Sequence, residues 1–171
     1  MTDAFQPILQ FDAASRAAED GEALIVDLEG YEGPLHALLA LARSHVNAND
    51  KISGERVLVS MRESEVQNMN LAEQASFAAL MAICSPEKGK PRFTGLRPAL
   101  LATELGITAR LDVMRAALSV ADNELADLHA EQLMAGAEAK KTFSSIRSQY
   151  ALHGREKDFR EIQKQVALKR I

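Results

Sequence analysis

The chain has 171 residues, of which 47% are hydrophobic and 5% aromatic, so alanine and leucine supply most of the apolar side chains. This composition favours helices and suffices for a buried core. The single cysteine, Cys84, excludes an intrachain disulfide and a cysteine-based zinc site; secretion-signal and membrane-spanning patterns are also lacking. We therefore expect a cytoplasmic, mainly α-helical protein: a helical bundle with one or two short N-terminal strands and a long C-terminal helix.

The first predicted unit is a flexible leader over residues 1–21, where Pro7, Gly21 and an alanine-rich acidic stretch disfavour regular structure. Residues 22–86 follow as an N-terminal helical region. Apolar and polar side chains alternate over residues 24–29, which is typical of a half-buried strand that ends at Gly30. Residues 57–59 predict a second short strand, paired with the first.

A leucine-rich helix is predicted directly after Pro34, a residue suited to a first helical turn. Leu35, Leu38 and Leu39 recur at three- and four-residue steps and form an apolar stripe, which Leu41 widens. Such a stripe either packs into the protein's own core or offers a surface to a partner. The spacing alone leaves both readings open.

The predicted strand is joined to this helix by the segment Tyr31-Glu32-Gly33-Pro34-Leu35. Together with the flanking apolar positions it forms one pattern of ten residues: Val26, Leu28, Tyr31, Glu32, Gly33, Pro34, Leu35, Leu38, Leu39 and Leu41. In this pattern, residues 22–43 resemble the start of the bacterial kleisin family, segregation and condensation protein A.

The resemblance implies a non-enzymatic subunit of chromosome condensation and segregation. In that family the N-terminal domain packs on the coiled-coil neck of an SMC ATPase, and an accessory kleisin-binding subunit completes the complex. The partner-binding residues implied at matching positions are Tyr31, Glu32, Leu35, Leu38, Leu39 and Leu41. A nucleoid-associated location in the cytoplasm follows from the same resemblance.

The middle of the chain predicts a helix from about residue 63 to 83 that ends at Ser85 and Pro86. Residues 87–97 contain Gly89, Pro91 and Gly95 among several cations, which predicts a loop or linker. Residues 98–171 are then expected to form a C-terminal helical region.

Residues 98–115 resemble a helix-turn-helix, with Gly106 at the bend and Arg110 and Arg115 as candidate DNA contacts on the second helix. A plain turn between two packed helices explains the same pattern. A small DNA-binding regulator is therefore the competing function for the chain.

The remaining residues predict a long amphipathic helix from about residue 111 to 150 and a last helix from about 156 to 168, with Gly154 between them. The two ends of the chain differ in net charge. Residues 140–171 contain nine Lys or Arg and three Asp or Glu, whereas residues 1–139 contain eleven Lys or Arg and twenty-one Asp or Glu. The basic tail is either a solvated helix or a contact for nucleic acid or an acidic protein surface.

Catalytic chemistry finds little support in the sequence, because its four histidines are scattered and no metal, phosphate-loop or nucleophile motif occurs. We expect no enzymatic activity, metal or cofactor. A kleisin-like subunit that docks on an SMC ATPase is the first hypothesis. A helical adaptor or self-associating bundle is a further alternative.

Overall fold

The computed structural model describes residues 35–169. This part of the chain forms nine α-helices joined by short turns. They are α1 Leu35–Asn47, α2 Lys51–Ser60, α3 Glu63–Gln67, α4 Leu71–Cys84, α5 Pro86–Ala102, α6 Ile107–Ser119, α7 Asn123–Ala135, α8 Ala139–Leu152 and α9 Glu156–Leu168. The mainly α-helical class is thereby confirmed. The predicted leader and the strand over residues 24–29 lie outside the described residues.

Helix α4 is the centre of the bundle, and it packs against α1, α2, α5 and α6. Residues 75–83 are all buried, and alanine occupies four of these positions. A helix that is buried on every side needs small side chains wherever neighbouring helices approach closely. The alanines of α4 therefore allow four helices to pack around it.

Side-chain caps fix where several helices begin. Asn70 accepts a hydrogen bond from the Glu73 backbone N–H, and the Glu73 carboxylate accepts one from the Asn70 N–H, both at 3.0 Å. The Asp50 and Asp122 carboxylates cap α2 and α7 by accepting hydrogen bonds from the Ser53 and Leu125 backbone N–H groups, at 3.1 and 3.2 Å. Each cap satisfies a backbone donor that the first helical turn leaves unpaired.

The prediction of a loop over residues 87–97 was wrong, because these residues belong to α5. Pro86 occupies the first turn, where the missing N–H costs nothing, and Pro91 and Pro98 lie on the exposed side. Gly89 is needed for packing: a Cβ there would lie 2.2 Å from the Ala82 nitrogen of α4. Gly89, a residue type that usually indicates a loop, thus allows α4 and α5 to cross closely.

The strand predicted over residues 57–59 was also wrong, since this segment is part of α2. Val57 and Leu58 are buried, whereas Val59 is 58% exposed. A residue's preference for strands has little effect where tertiary contacts stabilise another conformation. The packing of α2 against α1 and α4 therefore stabilises a helix, and not a strand, at residues 57–59.

The long helix predicted from residue 111 to 150 is divided into α6, α7 and α8. The first break falls at Ala121, whose φ of 61° ends α6, and Asp122 then caps α7. The second break falls at Gly136, which has extended backbone angles. The last helix was predicted correctly, and Gly154 precedes it with a φ of 69°.

A polar network holds the C-terminal helices together. The buried Tyr150 hydroxyl donates to the Asp127 carboxylate at 2.6 Å, and the Arg155 guanidinium bridges Asp127 and Asp158 at 3.0 and 2.7 Å. Burial is the main reason that the pKa of Tyr150 is raised. Because these residues come from α7, α8 and the start of α9, the network links all three. No helix within residues 35–169 has the length and apolar character required to cross a bilayer.

Candidate partner-binding surface

Helix α1 carries the leucine stripe and packs against α2 and α4. Its buried side consists of Leu39, Ala42, His45 and Val46. These positions recur at helical spacing, so one face of α1 joins the core. The helix is therefore a fixed element of the bundle.

The predicted partner-binding leucines do not share one environment. Leu39 is 4% exposed and belongs to the core. Leu35, Leu38 and Leu41 are half-buried and pack on the edge of the core, so each keeps part of its side chain accessible. Tyr31 and Glu32 lie outside the described residues. Within the stripe, Leu39 thus fixes the helix in the core, and the other three leucines remain partly accessible.

A buried ion pair fixes α1 against α6. The Arg43 guanidinium donates to both carboxylate oxygens of Asp112, at 2.6–3.0 Å, and Asp112 is only 1% exposed. The Ser76 hydroxyl of α4 lies 3.5 Å from the same guanidinium. A carboxylate this deeply buried requires such a partner. The pair therefore ties α1 to α6, in addition to the packing of α1 against α2 and α4.

This pair is not predictable from the sequence, since 69 residues separate its members and no local pattern connects them. One signal was available: an aspartate within the otherwise apolar face of α6. A charged residue at such a position calls for a buried partner of opposite charge. The identity of the partner could not be read from the sequence.

A second contact lies at the C-terminal end of α1. The His45 ring is buried, and its Nδ1 atom lies 3.5 Å from the Asp50 carboxylate. Hydrogen bonds from Ser53 lower the pKa of Asp50, and the neighbouring His45 adds to this shift. Asp50 thus fixes the turn from α1 to α2 as well as the start of α2.

The two arginines predicted as DNA contacts are engaged by the protein itself. The Arg110 side chain is 12% exposed and pairs with Glu104 at 3.3 Å. Arg115 donates to the Asn47 side chain of α1 at 2.7 Å, and burial lowers its pKa. Helix α6 is buried over most of its surface, and the predicted turn before it is present. This arrangement favours a packing role for both arginines.

Residues 35–169 contain no group of three or more His, Cys, Asp or Glu side chains arranged to hold a metal ion. The Cys84 thiol is half-buried against Gly54, and burial raises its pKa to about 11. Such a thiol stays protonated near neutral pH and is a poor nucleophile.

The accessible leucines of α1 are therefore the best candidate site in the described part of the chain. Searches against protein-family models, curated proteins and solved structures found no match to this chain.

Proposed function

We propose that the chain is a non-enzymatic, kleisin-like docking subunit that binds the coiled-coil neck of an SMC ATPase in chromosome condensation and segregation. The observation that carries the proposal is the partial exposure of Leu35, Leu38 and Leu41 on a helix whose other face is anchored in the core. An accessory kleisin-binding subunit and a nucleoid-associated location belong to the same proposal.

The chemistry of this surface suits a helical partner. Leu35, Leu38 and Leu41 follow one another at three-residue steps, so they form an apolar flank along α1. Apolar anchors at helical spacing are the usual means by which one helix packs into the groove of another. A coiled coil offers such grooves between its helices.

The rigid position of α1 in the bundle also supports a role in partner binding. The Arg43–Asp112 pair and the buried residues of α1 hold the helix in place before any partner arrives. A surface that is already ordered loses less conformational entropy on binding. By the same resemblance, Glu32 comes three residues before α1 in the sequence, and a negative charge there would complement the positive end of the helix dipole.

The proposal is tested by capture of a purified SMC fragment that contains the ATPase head and the adjoining coiled coil. We expect Leu38→Asp to reduce capture by the full-length chain at least tenfold, because a carboxylate would enter an apolar contact. Leu41→Gln should reduce capture several-fold with less effect on folding. Helical content and urea unfolding identify any variant that fails to fold.

The matched control is Val59→Asp, which introduces the same charge at an exposed apolar position of α2. It should be captured as well as the wild type. Equal capture of folded Leu38→Asp and Leu41→Gln variants, or no capture of the wild type, would contradict the proposal.

A further inference from the structure

A second accessible apolar surface lies between the last three helices. We call it the C-terminal groove: a cleft of about 240 Å³ between α7, α8 and α9. Its polar lining residues are Lys140 and Gln163. The other lining residues are apolar: Met134, Ala139, Phe143, Val166 and Ala167. A cleft of this composition lets an apolar side chain pack inside it and offers polar groups at its edge.

Three cations that form no ion pair within residues 35–169 border this groove. Lys140 is part of its wall. Arg147 lies one turn beyond Phe143 on α8, and Arg160 lies one turn before Gln163 on α9, so each continues the face that lines the groove. All three side chains are exposed. They differ from the other cations nearby, which pair with acidic residues: Lys141, Arg155, Lys164 and Lys169.

The unpaired cations lie at both ends of the groove. Helices α8 and α9 pack against each other and are joined by a short turn, so they run in opposite directions. Arg147 and Arg160 therefore lie toward the turn, and Lys140 lies toward the other end. Lys140 and Arg147 are seven residues apart, which is about 10 Å along a helix. A matching ligand is apolar in its middle and carries negative charges about two helical turns apart.

A helix of a partner protein combines these properties. Apolar side chains at helical spacing commonly anchor one helix in a groove of another protein, and carboxylates beside them would lie two turns apart. Opposite charges across such a contact favour the encounter and fix its orientation. The charge of the region agrees with an acidic partner, since residues 140–169 contain eight Lys or Arg and three Asp or Glu.

Other ligands match the groove less well. Nucleic acid would pair with the cations, but the Phe143 ring is half-buried and packs on the Phe159 ring at 5.4 Å between centroids, so it offers no open face for a base. In a symmetric dimer, the groove of each copy would face the same groove of the other, and their arginines would repel each other.

We infer that the C-terminal groove binds an acidic amphipathic helix of a partner protein. Its apolar side chains would pack against Phe143 and Ala167, and its carboxylates would pair with Lys140, Arg147 and Arg160. The inference is independent of the proposed SMC contact, because it concerns α8 and α9 and not α1. Each of the two can therefore fail without the other.

Fluorescence anisotropy of a labelled synthetic peptide, titrated with the full-length protein, tests the inference. The probe is an alanine-based peptide of about 20 residues, long enough to be partly helical in water. It carries leucines on one face and, beside them, two pairs of glutamates two turns apart. We expect saturable binding that weakens as salt is raised. The same peptide with alanine in place of its leucines should bind at least tenfold more weakly.

The variant Arg147→Glu with Arg160→Glu should weaken binding of the leucine peptide at least tenfold, because carboxylates would replace the cations near the turn. Its matched control is Lys51→Glu with Lys90→Glu, which changes the net charge equally at exposed positions of α2 and α5. The control should bind the peptide within about threefold of the wild type. Circular dichroism and urea unfolding check that both variants keep the fold.

Three results would overturn the inference: no saturable binding of the leucine peptide, equal binding of the two peptides, or equal weakening by the two double variants. Duplex DNA and phosphatidylglycerol vesicles are titrated in parallel. Tighter binding of either one through Arg147 and Arg160 would assign the groove to a different ligand and would also overturn the inference.

Discussion

The Arg43–Asp112 pair is a charged contact that ties α1 to α6. Its carboxylate is withdrawn from water, and the guanidinium of Arg43 supplies two hydrogen bonds in return. Burying two charges is costly, and the cost is recovered only while both partners remain. Loss of one partner should therefore be worse than loss of both.

We predict that Arg43→Met lowers the free energy of unfolding by about 3–5 kcal/mol, because Asp112 would be left buried without a counter-ion. The double variant Arg43→Met with Asp112→Leu should regain most of this loss. Urea unfolding at neutral pH measures both effects. The control is Lys164→Met, which removes an exposed pair with Glu161 and should cost less than about 1 kcal/mol. Equal costs for Arg43→Met and Lys164→Met would contradict the prediction.

His129 is a second buried group with a measurable consequence. Its ring is fully buried in α7, and neither nitrogen has a hydrogen bond of ordinary geometry within the described residues. Burial is the main cause that lowers its pKa to about 4, and the charge of Arg110 adds to the shift; an interaction with the Leu100 backbone opposes it. The folded protein thus favours the neutral ring.

The pKa of His129 is lower in the folded chain than in the unfolded chain, so unfolding takes up a proton as the pH falls. The full stability should therefore be present above about pH 6.5 and should decline towards pH 4. We predict that His129→Leu flattens this decline, as measured by urea unfolding at several pH values. His153→Gln, at an exposed position, should leave most of the decline in place. A wild-type profile that is flat between pH 6.5 and 4 would contradict the prediction.

At the scale of elements, the crossing of α4 and α5 depends on a single glycine. The backbone of α4 at Met81 and Ala82 lies where a Cβ of residue 89 would be. Backbone atoms cannot move aside as a flexible side chain can, so the two helices would have to separate. Gly95, on the same helix, has open space around it.

We predict that Gly89→Ala destabilises the protein by about 2–3 kcal/mol through this overlap. Gly95→Ala should instead stabilise it by about 0.5–1 kcal/mol, because alanine is the better helix former. Thermal or urea unfolding of the two variants gives the comparison. If both substitutions had the same sign, the close crossing would be refuted.

The same crossing shows why the sequence predicted some elements and missed others. Helix α9 was predicted with its observed ends because Phe159, Ile162 and Val166 follow a clear helical period and Gly154 precedes them. Helix α5 was read as a loop because Gly89 and Pro91 are strong local breakers. The close approach of α4 shows that Gly89 is required for the packing of the two helices, and this approach is visible only in the fold.

At the scale of the whole molecule, α1 packs one face into the core and keeps three leucines of its other face partly accessible. The sequence predicted the leucine stripe, but it could not divide the stripe into a buried Leu39 and the accessible Leu35, Leu38 and Leu41. That division depends on how α2 and α4 cover α1. It also could not show that Arg110 and Arg115 are engaged within the protein, since their partners lie on other segments.

We propose above that the accessible leucines of α1 contact the coiled coil of an SMC ATPase. The most direct measurement is photo-crosslinking with p-benzoylphenylalanine placed at position 41 or, as a control, at position 52, where Ile52 is 76% exposed on α2. We predict adducts with the SMC coiled coil from position 41 and few or none from position 52. Equal adducts from both positions, or none from position 41, would contradict the proposed contact.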